Sequence, residues 1–364
     1  MAFQAVVAEP ALPGGIRRLP CGTDLKPLVA SAGLIDGLLE NVCLATITFF
    51  QAAKITGTLL MRILLAKPRG FCAGVDRAIK IVEKALERFG APVYVLKHIV
   101  HNAHVVEELR EKGAVFVQSI QEVPEGAHLL FSAHGVAPHC WHEARERRLD
   151  IIDATCPLVA KVHQEIQRFA KSGYSIIYIG DAGHDETLGA IGWAPDNIQL
   201  VRTEADVSAI HVADADKVAY ITQTTLSVMD CAGIVEALRK RFPNIVSPHK
   251  PDICYATSNR QMAIVALVPE SDLVLVVGDP ESANSCRLRD IALKLGKPAH
   301  LIPNADAIDP AWLEGIATVL LTSGASAPEH LVAAVIKQLQ RQQACTVEER
   351  VLVEEDVHFH LPLE

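Results

Sequence analysis

The sequence predicts an α/β protein made of three pseudo-equivalent α/β units with mainly parallel sheets. Three observations carry that expectation. From Met61 onward, short apolar runs bounded by Gly, Pro or polar residues alternate with amphipathic helical patterns, the arrangement that gives parallel strands joined by helical crossovers. The chain has 364 residues, 50% of them hydrophobic, enough for two or three cores. Cys72, Cys156 and Cys254 recur at nearly even intervals, each where an apolar run meets a helix start, although no repeat of residue identity accompanies them.

In chain order, residues 1–60 form an atypical amino-terminal extension, expected to be poorly ordered. Its stretch from Leu38 to Leu60 is apolar but carries Glu40, Gln51 and Lys54, which makes it a poor membrane span and places it too far in for a signal segment. Met61 is the expected start of the folded part, and RILLA after it reads as a buried strand. The first unit, 72–156, opens with VDRAIKIVEKALERF, whose apolar positions Val75, Ile79, Val82, Leu86 and Phe89 lie on one helical face. PVYVL, AVFV and HLLFSA follow as strands, then the helical pattern HCWHEARERR. The second unit, 157–250, carries the helix VAKVHQEIQRFAK, the strands SIIYIG, IQLV and VAYIT, and the helix VMDCAGIVEALRKRF. The third, 251–341, joined by the segment 61–71, has the strands DLVLVVG, AHLI and TVLLTSG between the helices SCRLRDIALKLG and EHLVAAVIKQLQRQ. Residues 342–364 read as an acidic tail with a strand-like end, VHFHLPLE, that returns to the body.

Composition narrows the function. A formal charge of −9 argues against a nucleic-acid-binding surface. Nine cysteines without a secretory signal fit a reducing, cytoplasmic setting in which thiols are ligands, nucleophiles or core residues. The sequence has no GxxxxGK[ST], HExxH, GxSxG or CxxC, so nucleoside triphosphatase, zincin, hydrolase and dithiol chemistry lack their signatures. GDAGHDETLG fails the spacing of a dinucleotide loop.

Cys231 and Cys286 fall inside helical patterns, Cys140 begins one beside Trp141, and Cys21, Cys43 and Cys345 lie at the atypical ends. These read as buried or incidental thiols. Taken singly, Cys72, Cys156 and Cys254 would read the same way, but their shared placement after strand ends groups them, because ligands of open α/β sheets gather there. Three soft thiolates could hold one central iron-sulfur cluster with a coordination position free. His101, His134 and His184 also follow strand ends, as do Thr224, Thr225, Ser282, Asn284 and Ser326. Hydroxyls and amides there cap helices, and the same positions suit a phosphate.

The strings PRGFCAGVDRAI, VHN, FSAHGV, DATCPLVAKVH, GHDE, TQTTLS, DICYATSNRQ and SGASAPE, in this order from Met61 to about residue 341, closely resemble the 4-hydroxy-3-methylbut-2-enyl diphosphate reductases, which act last in the methylerythritol phosphate route to isoprenoids. The resemblance implies an oxygen-sensitive oxidoreductase whose three α/β units surround one [4Fe-4S] cluster with an open iron site. On the matching motifs, Cys72, Cys156 and Cys254 would ligate that cluster. His101, His134, His184, Ser282, Asn284 and Ser326 would bind the diphosphate of a small allylic substrate, with Thr225 beside them. Glu186 would deliver protons to the leaving hydroxyl, with Thr224 in its hydrogen-bond network. A reduced ferredoxin or flavodoxin would be the electron donor, with no nucleic-acid or membrane partner. One departure is Ala283, in SANS, where the family commonly places a second Ser. Asp279 and Glu281 before it would weaken local attraction for a diphosphate.

Two other readings stay open at this stage. A related enzyme on this scaffold would reduce a different hydroxylated diphosphate. An iron-sulfur sensor or binding protein would need the cysteines but not Glu186.

Overall fold

The computed structural model describes residues 60–362. The expected extension therefore lies outside the described residues apart from Leu60, as do Cys21 and Cys43. Every strand pairing among the described residues is parallel, and the strands form three sheets.

After β1 (Met61–Lys67) and α1 (Ala73–Phe89) comes a four-stranded sheet of β2 (Val93–Leu96), β3 (Ala114–Val117), β4 (His128–Phe131) and β5 (Asp150–Asp153), in the order β3-β2-β4-β5. The helices α2 (Ala103–Glu111) and α3 (Pro138–Glu146) connect them. α4 (Pro157–Lys171) leads into a three-stranded sheet of β6 (Ser175–Ile179), β7 (Ile198–Val201) and β8 (Val218–Thr222), ordered β7-β6-β8, with α5 (Asp185–Ile191) between the first two. α6 (Val228–Arg241) and α7 (Tyr255–Leu267) then precede the five-stranded sheet. This contains β9 (Leu273–Val277), β10 (Ala299–Ile302), β11 (Thr318–Ser323) and β12 (Cys345–Val351) with β1, in the order β10-β9-β11-β1-β12. α8 (Ala283–Lys294) and α9 (Glu329–Gln342) cross over it.

The strand residues explain why both faces of the large sheet are covered. In β9 all five residues, LVLVV, are buried, as expected of a parallel strand between two helical layers. Alternation sorts them. Leu273, Leu275 and Val277 join Ile63, Leu321 and Val335 in one core, while Val274 and Val276 join Leu64, Ile264, Leu288 and Leu320 in the other.

All ten strands read from the sequence occur. The DIID run before Cys156 is an additional strand, β5, short in apolar residues but paired from His128↔Asp150 to Phe131↔Asp153. Three helices, α2, α5 and α7, fall outside the helical patterns read from the sequence: α2 is short but buries Val105, Val106 and Leu109 on one face, whereas α7 leaves no amphipathic trace. In α7 the reason is burial on several sides: Thr257, Arg260 and Gln261 are buried along with Ala263 and Ile264. The tail requires a correction. Its strand is β12, which pairs with β1 over seven residues, whereas VHFHLPLE is irregular over its described residues. Among the described residues that end pairs with no strand, and other groups tie it down. Arg77 Nε donates to the carbonyl of His360 at 2.7 Å, and Leu361 packs on the core under α1.

Between those points Glu355 pairs with Arg260 at 3.2 Å; Arg260 is fully buried and also donates to the carbonyls of Gly70 and Ala256. Glu355→Ala is expected to leave a buried guanidinium without its carboxylate, at a cost of about 3 kcal/mol. A denaturant midpoint equal to the wild type would remove the tail from the structural core. No helix among the described residues is long and apolar enough to cross a membrane.

Candidate active site

The carboxyl ends of strands from all three sheets open onto one cavity, the kind of place where α/β folds bind small ligands. All twelve sequence-predicted site residues line it: Cys72, Cys156 and Cys254; His101, His134 and His184; Glu186, Thr224 and Thr225; Ser282, Asn284 and Ser326.

Each of the three cysteines occupies the N-cap of a long helix, α1, α4 and α7 respectively. The partial positive charge of a helix start favours anionic sulfur there. Cys72 and Cys156 make no side-chain capping bond of the usual kind, although the backbone N–H groups of Leu158 and Val159 act on the Cys156 sulfur. Cys254 Sγ accepts from the Thr257 backbone at 3.3 Å and bonds its hydroxyl at 3.1 Å. Gly74 keeps the space beside the sulfurs open: a Cβ there would lie 2.7 Å from Cys156 Sγ and 3.9 Å from Cys72 Sγ. Burial pushes the Cys156 thiol up to about 12 and that of Cys254 to about 11, and neighbouring sulfur adds to both. Thiolates gathered this way need a cation among them.

The shared strand-end placement fails for Cys254. It follows a loop after α6, and the loop is pinned to the end of β8 from outside. Cys254 N–H donates to the carbonyl of Thr224 at 3.0 Å, while Asp252 accepts from the Thr222 N–H at 3.0 Å and from Lys161 Nζ at 2.6 Å. The sulfur reaches the common cavity all the same.

The imidazoles of His101 and His134 stack with centroids 4.1 Å apart, and His184 stands edge-on to both at 5.1 and 5.8 Å. Burial lowers all three pKa values, to about 4 for His184, because desolvation disfavours the charged ring. The trio is therefore neutral at pH 7. His184 Nδ1 accepts the Glu186 N–H at 3.1 Å, so its proton sits on Nε2, which becomes a donor. Neither nitrogen of His101 and neither amide atom of Asn284 has a hydrogen-bond partner among the described residues, although all four atoms are buried. Unpaired buried polar atoms in a cavity mark the place of a polar ligand. Ser326 donates to the carbonyl of His101 at 3.0 Å and lies 3.3 Å from Ser282 Oγ. Thr225 Oγ1 is engaged by Gln223 Nε2 at 3.0 Å.

Glu186 is 2% exposed. The Thr224 N–H donates to Oε1 at 2.7 Å, and its hydroxyl to Oε2 at 2.9 Å. Burial outweighs both bonds and raises the carboxyl to about 7, so it can hold or release a proton near neutrality. Sequence reasoning missed Thr257 and Arg260, which fix Cys254 and the Cys72 approach. The signal for Thr257 was its position three residues after an N-cap cysteine.

The LytB protein family profile matches residues 63–340. A protein of Azoarcus sp. (strain BH72) named 4-hydroxy-3-methylbut-2-enyl diphosphate reductase is 55% identical over 302 residues, covering 83% of this chain and 97% of the relative. The protein of the same name from Mycolicibacterium paratuberculosis is also 55% identical, over 304 residues, covering 83% of this chain and 92% of the relative. Among solved structures, the E-1-hydroxy-2-methyl-but-2-enyl-4-diphosphate reductase from Plasmodium falciparum aligns with a TM-score of 0.80 at 37% identity, covering 83% of this chain and 96% of that one. With a family match over most of its length and relatives this similar, the chain belongs to the LytB protein family.

Proposed function

We propose that the protein reduces 4-hydroxy-3-methylbut-2-enyl diphosphate, losing its hydroxyl as water and giving isopentenyl and dimethylallyl diphosphates. The reaction consumes two electrons and two protons. One observation carries the reading: three thiols, three neutral imidazoles and a buried carboxyl near pKa 7 share a single cavity.

The donor set fits one [4Fe-4S] cluster held by Cys72, Cys156 and Cys254 with one iron open, since all three cysteines line one cavity and Gly74 keeps the space beside the Cys72 and Cys156 sulfurs clear. When bound, the cluster supplies electrons singly and Lewis acidity toward the substrate hydroxyl. A reduced ferredoxin or flavodoxin is the proposed donor of those electrons. The fold would then comprise units over 72–156, 157–250 and 251–341, the last completed by 61–71.

His101, His134 and His184 bind the diphosphate as neutral donors, beside the Asn284 amide and the Ser282 and Ser326 hydroxyls. Thr225, already committed to Gln223, shapes the wall. Glu186 delivers a proton to the departing hydroxyl oxygen. Thr224 holds both of its carboxyl oxygens and, through its hydroxyl, connects the acid to the cavity. A sensor would have no use for an acid tuned in this way.

Ala283, the first residue of α8, lines the cavity between Ser282 and Asn284. Ala283→Ser adds a donor and is expected to lower KM for the substrate or leave it unchanged, since one hydrogen bond to a charged group contributes about 1.5 to 3 kcal/mol. A large rise in KM would count against this placement of the phosphate.

Anaerobic turnover by cluster-reconstituted protein with a reduced viologen dye tests the reaction, with Cys156→Ser as control. Both products from the intact protein alone are the expected result. No product from protein holding a full cluster would favour a different hydroxylated diphosphate or a sensor.

A further inference from the structure

We infer that Lys97 is a charge-balancing residue for diphosphate binding: it cancels the carboxylate of Asp185, which the fold sets beside the phosphate-facing histidines. The inference rests on the reading of the cavity as a diphosphate site.

Lys97 directly follows β2 and adopts φ 57°, a left-handed conformation that a lysine keeps only where its surroundings fix it. Its N–H donates to the carbonyl of Val117 at 2.7 Å, which secures the turn. Its Nζ pairs with Asp185 Oδ1 at the start of α5, joining the loop before His101 to the residue between His184 and Glu186. The pair is only partly exposed, at 39% for the Lys side chain and 19% for Asp.

The carboxylate lies close to the site. An oxygen of Asp185 and ring nitrogens of His101 and His134 fall within 4.8 Å of one another. Two more carboxylates stand nearby: Asp279, which accepts the Ala103 N–H, and Glu281, 3.5 Å from His98 Nδ1. The three cavity imidazoles are neutral and offer no charge against these. A multiply charged diphosphate entering beside an unpaired Asp185 would meet repulsion in a poorly solvated place, where charges act strongly on one another. Lys97 removes that repulsion without touching the ligand.

A plain tether between the two segments would use the same pair, and the two roles make opposite statements about removing both charges. The reconstituted holoenzyme and its Lys97→Met, Asp185→Asn and doubly substituted forms are compared for kcat, KM and the calorimetric affinity of inorganic diphosphate. Lys97→Met is expected to raise KM and the Kd of inorganic diphosphate about tenfold or more with kcat nearly unchanged. Asp185→Asn should bind as well as the wild type or better. The double substitution should return both constants to within about twofold of wild type, and Lys97→Arg should keep the wild-type values. Lys97→Gln repeats the first arm should methionine prevent folding.

Equal weakening by both single substitutions, or a double variant no better than Lys97→Met, would overturn charge balance in favour of a tether. A wild type that binds inorganic diphosphate with the expected pattern among variants but turns over no substrate would sink the proposed reaction and leave charge balance standing. A holoenzyme that does not bind inorganic diphosphate would overturn both.

Discussion

Glu186→Gln is expected to lower kcat by about 10² to 10⁴-fold, the usual contribution of a positioned general acid, while iron content and substrate affinity stay close to wild type. The replacement keeps the shape, and its carbonyl oxygen can still accept the Thr224 N–H that Glu186 Oε1 accepts at 2.7 Å. What disappears is the proton. Because burial raises the carboxyl to about 7, the wild-type rate should fall as pH climbs through that value and the acid ionises. The residual rate of the Gln form should lack this limb. Stability follows the same sign. A carboxyl with a raised folded-state pKa binds more protons folded than unfolded between its ordinary value and about 7, so stability falls as pH rises through that window and levels off above it. The Gln form should lack this decline. Near-normal turnover in Glu186→Gln would move proton delivery to another group.

Cys156→Ser is expected to abolish turnover through loss of the metal group. Its sulfur sits among those of Cys72 and Cys254, with burial and neighbouring sulfur pushing its thiol up to about 12. Such a site is unfavourable for a bare thiolate and depends on bound metal to stabilise the anion. A serine hydroxyl is a harder donor and far more reluctant to ionise, so iron and sulfide content and visible absorption should fall together. Cys231→Ser provides the comparison: Cys231 is buried in α6 in the core of the three-stranded sheet, and its loss should leave iron content unchanged. A Cys156→Ser protein carrying full iron would remove Cys156 from the ligand set.

Much of this architecture was legible in the sequence because parallel strands are buried on both faces and appear as unbroken apolar runs, as LVLVV does in β9. Residues just beyond those runs fall at the carboxyl ends, and that rule alone grouped the histidines, the hydroxyls and the three cysteines, though it holds for only two of the cysteines. Cys254 reaches the cavity by another route, on a loop held to the end of β8 by Asp252 and by its own N–H on Thr224 and tied to α4 by Lys161, contacts between residues distant in sequence. α7 left no amphipathic trace because it buries Arg260 and Gln261 as well as its apolar residues. The Lys97–Asp185 pair was invisible for a third reason: 88 residues separate its partners, and each alone reads as a solvated charge. Local pattern reveals elements, whereas groups that meet across sheets emerge only once the sheets are assembled.

The five-stranded sheet also sets an order of events during synthesis. β1 is the first strand of the described fold to leave the ribosome, yet its two neighbours are β11 and β12, among the last. Until then its hydrophobic residues have no lateral partner, and the Cys72 loop lacks the Ala325 carbonyl that accepts the Cys72 N–H at 3.1 Å. The smaller sheets can close while the chain is still growing. The three thiols can be brought into their final register only on a nearly complete polypeptide, so maturation of the site belongs after translation.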